Sequence, residues 1–167
     1  AASEWQYGIE IDRLDTPREP QLWKRLPLHH ACRFGAPVRV MQALARAYPE
    51  GPTSHDPYTG ALPLHLACRY RCSSKAVAFL LQQFPAGSKQ ADAGGRVPLH
   101  FACLAGVEST AIQLLVKAYP ASVCAVDHKS NTPLDYTTPE TELEEETVAL
   151  LEKLQAFLGR VEERRDQ

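Results

Sequence analysis

Three times in this chain a histidine stands three residues before a cysteine: His29 with Cys32, His65 with Cys68 and His100 with Cys103, in "LHHAC", "LHLAC" and "LHFAC". Imidazole and thiolate are ligands for zinc, and side by side they also make a nucleophile with its base. Each chemistry sets a structural demand. A metal needs several ligands converging on one ion at bonding distance, and a reactive thiolate needs an exposed, electropositive setting. Cys72 and Cys124 stand outside the pattern, with nothing near them in sequence that suggests a catalytic pairing.

The elements that carry these pairs decide between the demands. "PLHHAC" begins at Pro27, "PLHLAC" at Pro63, "PLHFAC" at Pro98 and a degenerate "PLDYT" at Pro133, at spacings of 36, 35 and 35. The period extends to Asp56, Asp92 and Asp127, and to Tyr48-Pro49, Phe84-Pro85 and Tyr119-Pro120. Met41, Val77 and Ile112 repeat three residues ahead of Leu44, Leu80 and Leu115. Self-similarity at this period is the mark of a stacked repeat architecture.

Each unit reads as two short helices and a turn. Proline suits the first helical position, where its fixed φ is helical and its missing N–H is not needed, so a first helix is expected from Pro27, Pro63 and Pro98, and in degenerate form from Pro133. Gly35 and Gly106 are placed to end it. A second helix is expected over 38–47, 74–83 and 109–118, closed by the Tyr/Phe-Pro pair because proline disfavours helical geometry in the residue before it. Clusters such as "DPYTG" and "DAGG" then form turns.

At this point the chain resembles the ankyrin repeat family. The likeness lies in "LPLHHACRFG", "LPLHLACRYR" and "VPLHFACLAG", each followed by an apolar-patterned second helix, and it covers about Trp23 to Leu158. It implies an all-α, helix-turn-helix solenoid with turn or hairpin connections. The family usually has Thr before "PLH"; here Leu26, Leu62 and Val97 stand there, and only Thr132 keeps it. Losing such a cap typically costs about 0.5 to 2 kcal/mol. The resemblance further implies that the histidines bond neighbouring turn backbone and that the cysteines are small residues of the inter-repeat seam. Ligands on repeats about 10 Å apart do not converge on one ion, so neither a metal nor a cofactor is expected, and no nucleophile-base pair, phosphate loop or acid pair indicates an enzyme.

The regions outside the repeats differ in character. In residues 1–22, "EWQYGIEID" sets Trp5, Tyr7, Ile9 and Ile11 at period two, as in an extended arm with one apolar side; the arm either covers the first repeat or inserts into a partner. Residues 23–139 hold repeats one to three and the start of a fourth. Residues 140–167 read as a capping helix and tail, an extended second helix of repeat four whose apolar side is Leu143, Thr147, Leu150, Leu151, Leu154, Phe157, Leu158 and Val161. A coiled-coil partner helix is the alternative for this segment.

Composition bounds the rest. With 167 residues, 44% of them hydrophobic, the chain can bury one sizeable core. Its longest apolar run, "AVAFLL", is far short of the roughly 18 residues a membrane span needs. Five cysteines in a domain of this size point to free thiols in a reducing compartment, the cytoplasm first and the interior of a chloroplast or mitochondrion as the alternative. The opening "AAS" suits a processing site or a trimmed boundary. Residues 140–167 carry nine acidic and four basic side chains, whereas Arg18 to Lys75 carries nine basic ones against Glu19, Glu50 and Asp56. A front half of this charge fits an acidic partner surface; no base-reading motif favours nucleic acid.

The expected function is a non-catalytic protein-protein interaction module. Following the resemblance, its contacts fall on the concave face at His30, Arg33, Phe34, Leu66, Arg69, Tyr70, Phe101 and Leu104, with hairpin tips adding His55, Tyr58, Arg96 and His128. The alternative is an obligate structural subunit of a large multiprotein complex, organellar in one version.

Overall fold

Proline opens the first helix of each of three repeats: α1 (Pro27–Arg33), α3 (Pro63–Arg69) and α5 (Pro98–Ala105). These alternate with α2 (Val38–Ala47), α4 (Ser74–Gln83) and α6 (Ser109–Ala118), and α7 (Glu145–Arg165) closes the array. This is a computed structural model, which describes residues 26–138, 141 and 143–165; the arm expected at 1–22 lies outside them. The described residues contain no strand.

The apolar residues before each proline solve the capping problem in another way. In a Thr-capped repeat the side chain would serve the exposed N–H groups; here backbone and histidine share that work. The N–H of His65 donates to the carbonyl of Leu62 at 3.0 Å, and that of His100 to Val97 at 3.0 Å. The N–H of Leu62 donates to Nδ1 of His65 at 3.0 Å, and that of Val97 to Nδ1 of His100 at 3.1 Å. Where Thr132 is kept, Asp135 stands in the histidine's place and accepts from both its N–H and its hydroxyl, at 2.6 and 2.8 Å. Leu62 and Val97 are thereby released to be buried in the core.

The first helices end in left-handed backbone, on Gly35 (φ +61°) and Gly106 (φ +62°). Arg71 occupies the equivalent place in repeat two with φ +53°, a conformation that costs a side chain-bearing residue about 1 kcal/mol or more. Met41, Val77 and Ile112 lie wholly inside, as do Cys32, Cys68 and Cys103. After each second helix a short 3-10 turn, at Gly51–Thr53, Pro85–Lys89 and Pro120–Cys124, leads to a hairpin tip.

A buried aspartate shapes each tip. Asp56 Oδ1 accepts the N–H of Tyr58 at 2.9 Å, Asp92 Oδ1 those of Gly94 and Arg96 at 2.9 Å each, and Asp127 Oδ1 those of Lys129 and Asn131 at 2.8 and 2.9 Å. The tips are laced together. The N–H of Ala93 donates to the carbonyl of Thr59 at 2.9 Å, and that of His128 to Gly94 at 3.0 Å. Gly95 (φ +79°) has no room for a side chain, since a Cβ there would lie 2.6 Å from the His128 ring. At the equivalent place in the third tip, which no further tip approaches among the described residues, the chain carries Ser130 at φ +64°.

The fourth repeat departs from expectation. Its first helix is only a 3-10 turn, Pro133–Tyr136, because a helix opened at Pro133 meets Pro139 within two turns. The second helix becomes α7, 21 residues long, which rests chiefly on the Pro120–Cys124 turn. Leu151 and Thr147 are buried there, and Leu143, Leu154 and Leu158 half-buried. Leu150, Phe157 and Val161 instead face solvent, with Phe157 59% exposed. At 100° per residue they are rotated roughly 80° from the packed stripe, beyond the arc that one neighbouring turn covers.

Candidate functional site

The first helices and hairpin tips bring arginines and aromatic rings together across three repeats. The Arg33 guanidinium lies 5.8 Å from the centre of the Tyr70 ring. Arg69 lies 5.9 Å from the Tyr70 ring and 5.9 Å from the Phe101 ring, and Arg96 lies 4.6 Å from Phe101. Within about 6 Å of a ring centre, a guanidinium is held by the negative face of the π system. Arg96 is held further by Asp92, whose Oδ2 accepts from Nε at 3.0 Å and from a terminal nitrogen at 2.7 Å. The result is a ladder of alternating cation and ring running from repeat one to repeat three.

Two of the expected contact residues change role. Leu66 and Phe101 are buried, with Phe101 only 3% exposed, because the adjoining repeat closes over their helical face. They support the surface from beneath, and Phe101 offers its ring to Arg69 and Arg96 rather than to a partner. Tyr70 and Leu104 are half-buried against the core, and Tyr58 is half-buried at its tip. His55 and His128 are exposed at theirs. His30 and Phe34 stack at 6.3 Å at the first-repeat end, where Phe34 is 75% exposed.

Thr59 and Asp92 complete the ladder without having been expected there. With Arg69, Tyr70 and Arg96 they line a shallow depression between repeats two and three. The sequence signal for Asp92 was its repeat position combined with an arginine four residues on, where the other tips have Gly60 and Asn131.

His65 and His100 tie the architecture together. Because Nδ1 of His65 accepts a backbone N–H, Nε2 carries the proton and donates to the carbonyls of Gln90 and Arg96, at 3.1 Å each. Nε2 of His100 donates likewise to Asn131 at 3.2 Å. Each ring thus ties its repeat to the next, with both nitrogens occupied. Burial pushes the His65 pKa down to about 4 and that of His100 down as well, against the pull of nearby carbonyls and aspartates. Desolvation drives the thiols the other way: Cys72 to about 11, Cys103 to about 12, and Cys32 and Cys68 strongly upward. Thiols so protonated are not nucleophiles at neutral pH. Cys72 donates to the carbonyl of Cys32 at 3.1 Å, a further tie between repeats. Among the described residues, no three His, Cys, Asp or Glu side chains gather as a metal site, and no helix is long and apolar enough to cross a membrane.

Paired helices stacked by histidine-to-backbone bonds and laced hairpin tips define an ankyrin-type helical repeat solenoid. A solved structure of the human ASB11 ankyrin repeat domain superposes with a TM-score of 0.61, at 23% identity, over 75% of this chain and 52% of that one. The chain therefore spans about half the length of that neighbour, and the likeness establishes the fold. No protein-family model and no curated protein sequence matches the chain.

Proposed function

We propose that this chain is a non-catalytic protein-interaction module whose concave side, centred on Arg33, Arg69 and Tyr70, docks an acidic surface of a protein partner. The observation that carries this reading is the arginine-aromatic ladder itself. Its three arginines are held over the rings of Tyr70 and Phe101 in repeats two and three, so little side-chain freedom is left to lose on binding. Arginine and tyrosine are also the residue types that dominate binding energy at interfaces. The surplus of basic residues from Arg18 to Lys75 supports an acidic partner, by attraction that also speeds encounter.

The test is the double charge reversal Arg33→Glu with Arg69→Glu. Tyr70 is left in place because it packs against the core. Proteins that co-purify with the native chain should be lost from the variant, with affinity falling at least tenfold, while the melting temperature moves little. Partners retained by a normally folded variant would refute the concave-face reading; co-purification at fixed stoichiometry would favour an obligate subunit over a free adaptor.

A further inference from the structure

Helix α7 carries an apolar stripe that the rest of the fold leaves uncovered. Its 21 residues extend for about 31 Å, yet they rest chiefly on the five-residue turn Pro120–Cys124. Leu150, Phe157 and Val161 are 40%, 59% and 38% exposed, and half-buried Leu154 stands among them. Positions 150, 154, 157 and 161 advance by four, three and four residues, the spacing of the seam between two paired helices. The second helices inside the array differ, since neither α4 nor α6 exposes a large apolar side chain. Charge on α7 is divided as well. Residues 144–152 hold four glutamates, Glu144, Glu145, Glu146 and Glu152, and no basic residue; residues 153–161 hold Lys153 and Arg160 and no acidic one. All six are exposed.

We infer that the stripe is the seam of a homodimer, in which α7 of one copy lies antiparallel along α7 of a second. Charge selects both that occupant and its direction. A two-fold axis near Lys153 lays residues 144–152 of each copy along residues 153–161 of the other, so each acidic half meets a basic one. A parallel pair sets glutamates against glutamates and cations against cations. Two-fold pairing presents the same patch from both copies, and a helix with one acidic and one basic half complements itself only when the two run in opposite directions. The apolar stripe passes through both halves, so Leu150 in the acidic half of one copy comes beside the Phe157–Val161 end of the other. None of these residues belongs to the arginine ladder, so the pairing does not depend on it.

So short a seam places the pairing among weak, transient contacts, and sedimentation velocity of the full-length protein from about 1 to about 300 μM covers that range. The sedimentation coefficient should rise from the monomer value towards that of a dimer. Salt reports the direction of the helices: raising sodium chloride from about 50 to about 500 mM screens the charges, which weakens an antiparallel pair and strengthens a parallel one. Phe157→Glu removes the largest ring of the stripe and sets a carboxylate against the acidic half of the other copy. Association should fall at least about tenfold, with the melting curve unchanged because the ring lies outside the core. Val161→Glu, one helical turn on, should act in the same direction. A monomer at every concentration overturns the inference, and loss of a co-purifying protein from a monomeric Phe157→Glu variant would then assign the stripe to a foreign partner. A dimer that persists in both folded variants overturns it by locating the interface elsewhere, and a dimer strengthened by salt refutes the antiparallel arrangement.

Discussion

Acidification should loosen this array through His65 before the carboxylates titrate. In the unfolded chain the imidazole has its ordinary pKa of 6.5, whereas in the folded protein burial holds it at about 4. A folded-state pKa below the unfolded one means that the unfolded chain takes up the proton first. Stability is then full above pH 6.5 and is lost as pH falls from there to about 4. The whole difference corresponds to roughly 3 kcal/mol at about 1.4 kcal/mol per pKa unit. By pH 5 the unfolded ring is almost fully charged and the folded ring about one-tenth so, which already removes about 2 kcal/mol. Protonation of Nδ1 also converts the acceptor for the Leu62 N–H into a competing donor, which opens the cap of α3. His100 adds to the loss in the same direction. Of the groups around His65, Asp92 opposes the shift and His55 reinforces it, both more weakly than burial. Urea unfolding at half-unit steps from pH 7.5 to 5 measures the loss, and the ring proton of His65 in NMR spectra reports its titration directly. A folded-state midpoint near 6.5, or stability flat between pH 7 and 5, would refute the reasoning.

Other perturbations follow from particular contacts. Arg71→Gly should raise stability by up to about 1 kcal/mol in a thermal melt, by relieving left-handed backbone that a side chain disfavours. Gly95→Ala should lower it by more than about 1 kcal/mol, because the new methyl collides with His128 at positive φ; Ser130→Ala, at the matching but open tip, should change it by less than about 0.5 kcal/mol. Deleting 139–167 uncovers the side of repeat three on which Leu151 is buried and should lower the melting temperature of the whole array, since solenoid stability sums unit and interface terms. Elemental analysis of the purified protein should find no stoichiometric zinc or iron.

The second helices were legible to the residue, at Val38–Ala47, Ser74–Gln83 and Ser109–Ala118, because proline punctuates them chemically and the period repeats the punctuation. The seam roles of His65 and His100 were legible only through the resemblance to ankyrin repeats, which implied a histidine bonding the neighbouring turn backbone, as both rings do. The contact surface was less so. Helix periodicity states which residues share a face, but a first helix in a solenoid is enclosed by its own repeat and by two neighbours, so Leu66 and Phe101 look like surface positions until the next repeat is placed over them. Arg71 was hidden differently. Its left-handed backbone is imposed by the repeat, and arginine gives no local sign of it as Gly35 and Gly106 do. On α7 the apolar stripe was read correctly as a pattern and too widely as a contact, because Leu150, Phe157 and Val161 extend past the one turn that covers their neighbours.

The substitution of serine for glycine at the last hairpin tip gives the array a direction of growth. Gly95 allows the backbone of the next tip to close within bonding distance, whereas Ser130 extends a hydroxymethyl group into the space a fourth tip would need. A duplicated unit appended after residue 138 would meet that obstacle at once. The same unit inserted between the second and third repeats would find glycine on both sides. The tips at Gly60 and Gly95 therefore leave room for an inserted neighbour, whereas the tip at Ser130 sets a side chain in the way of one.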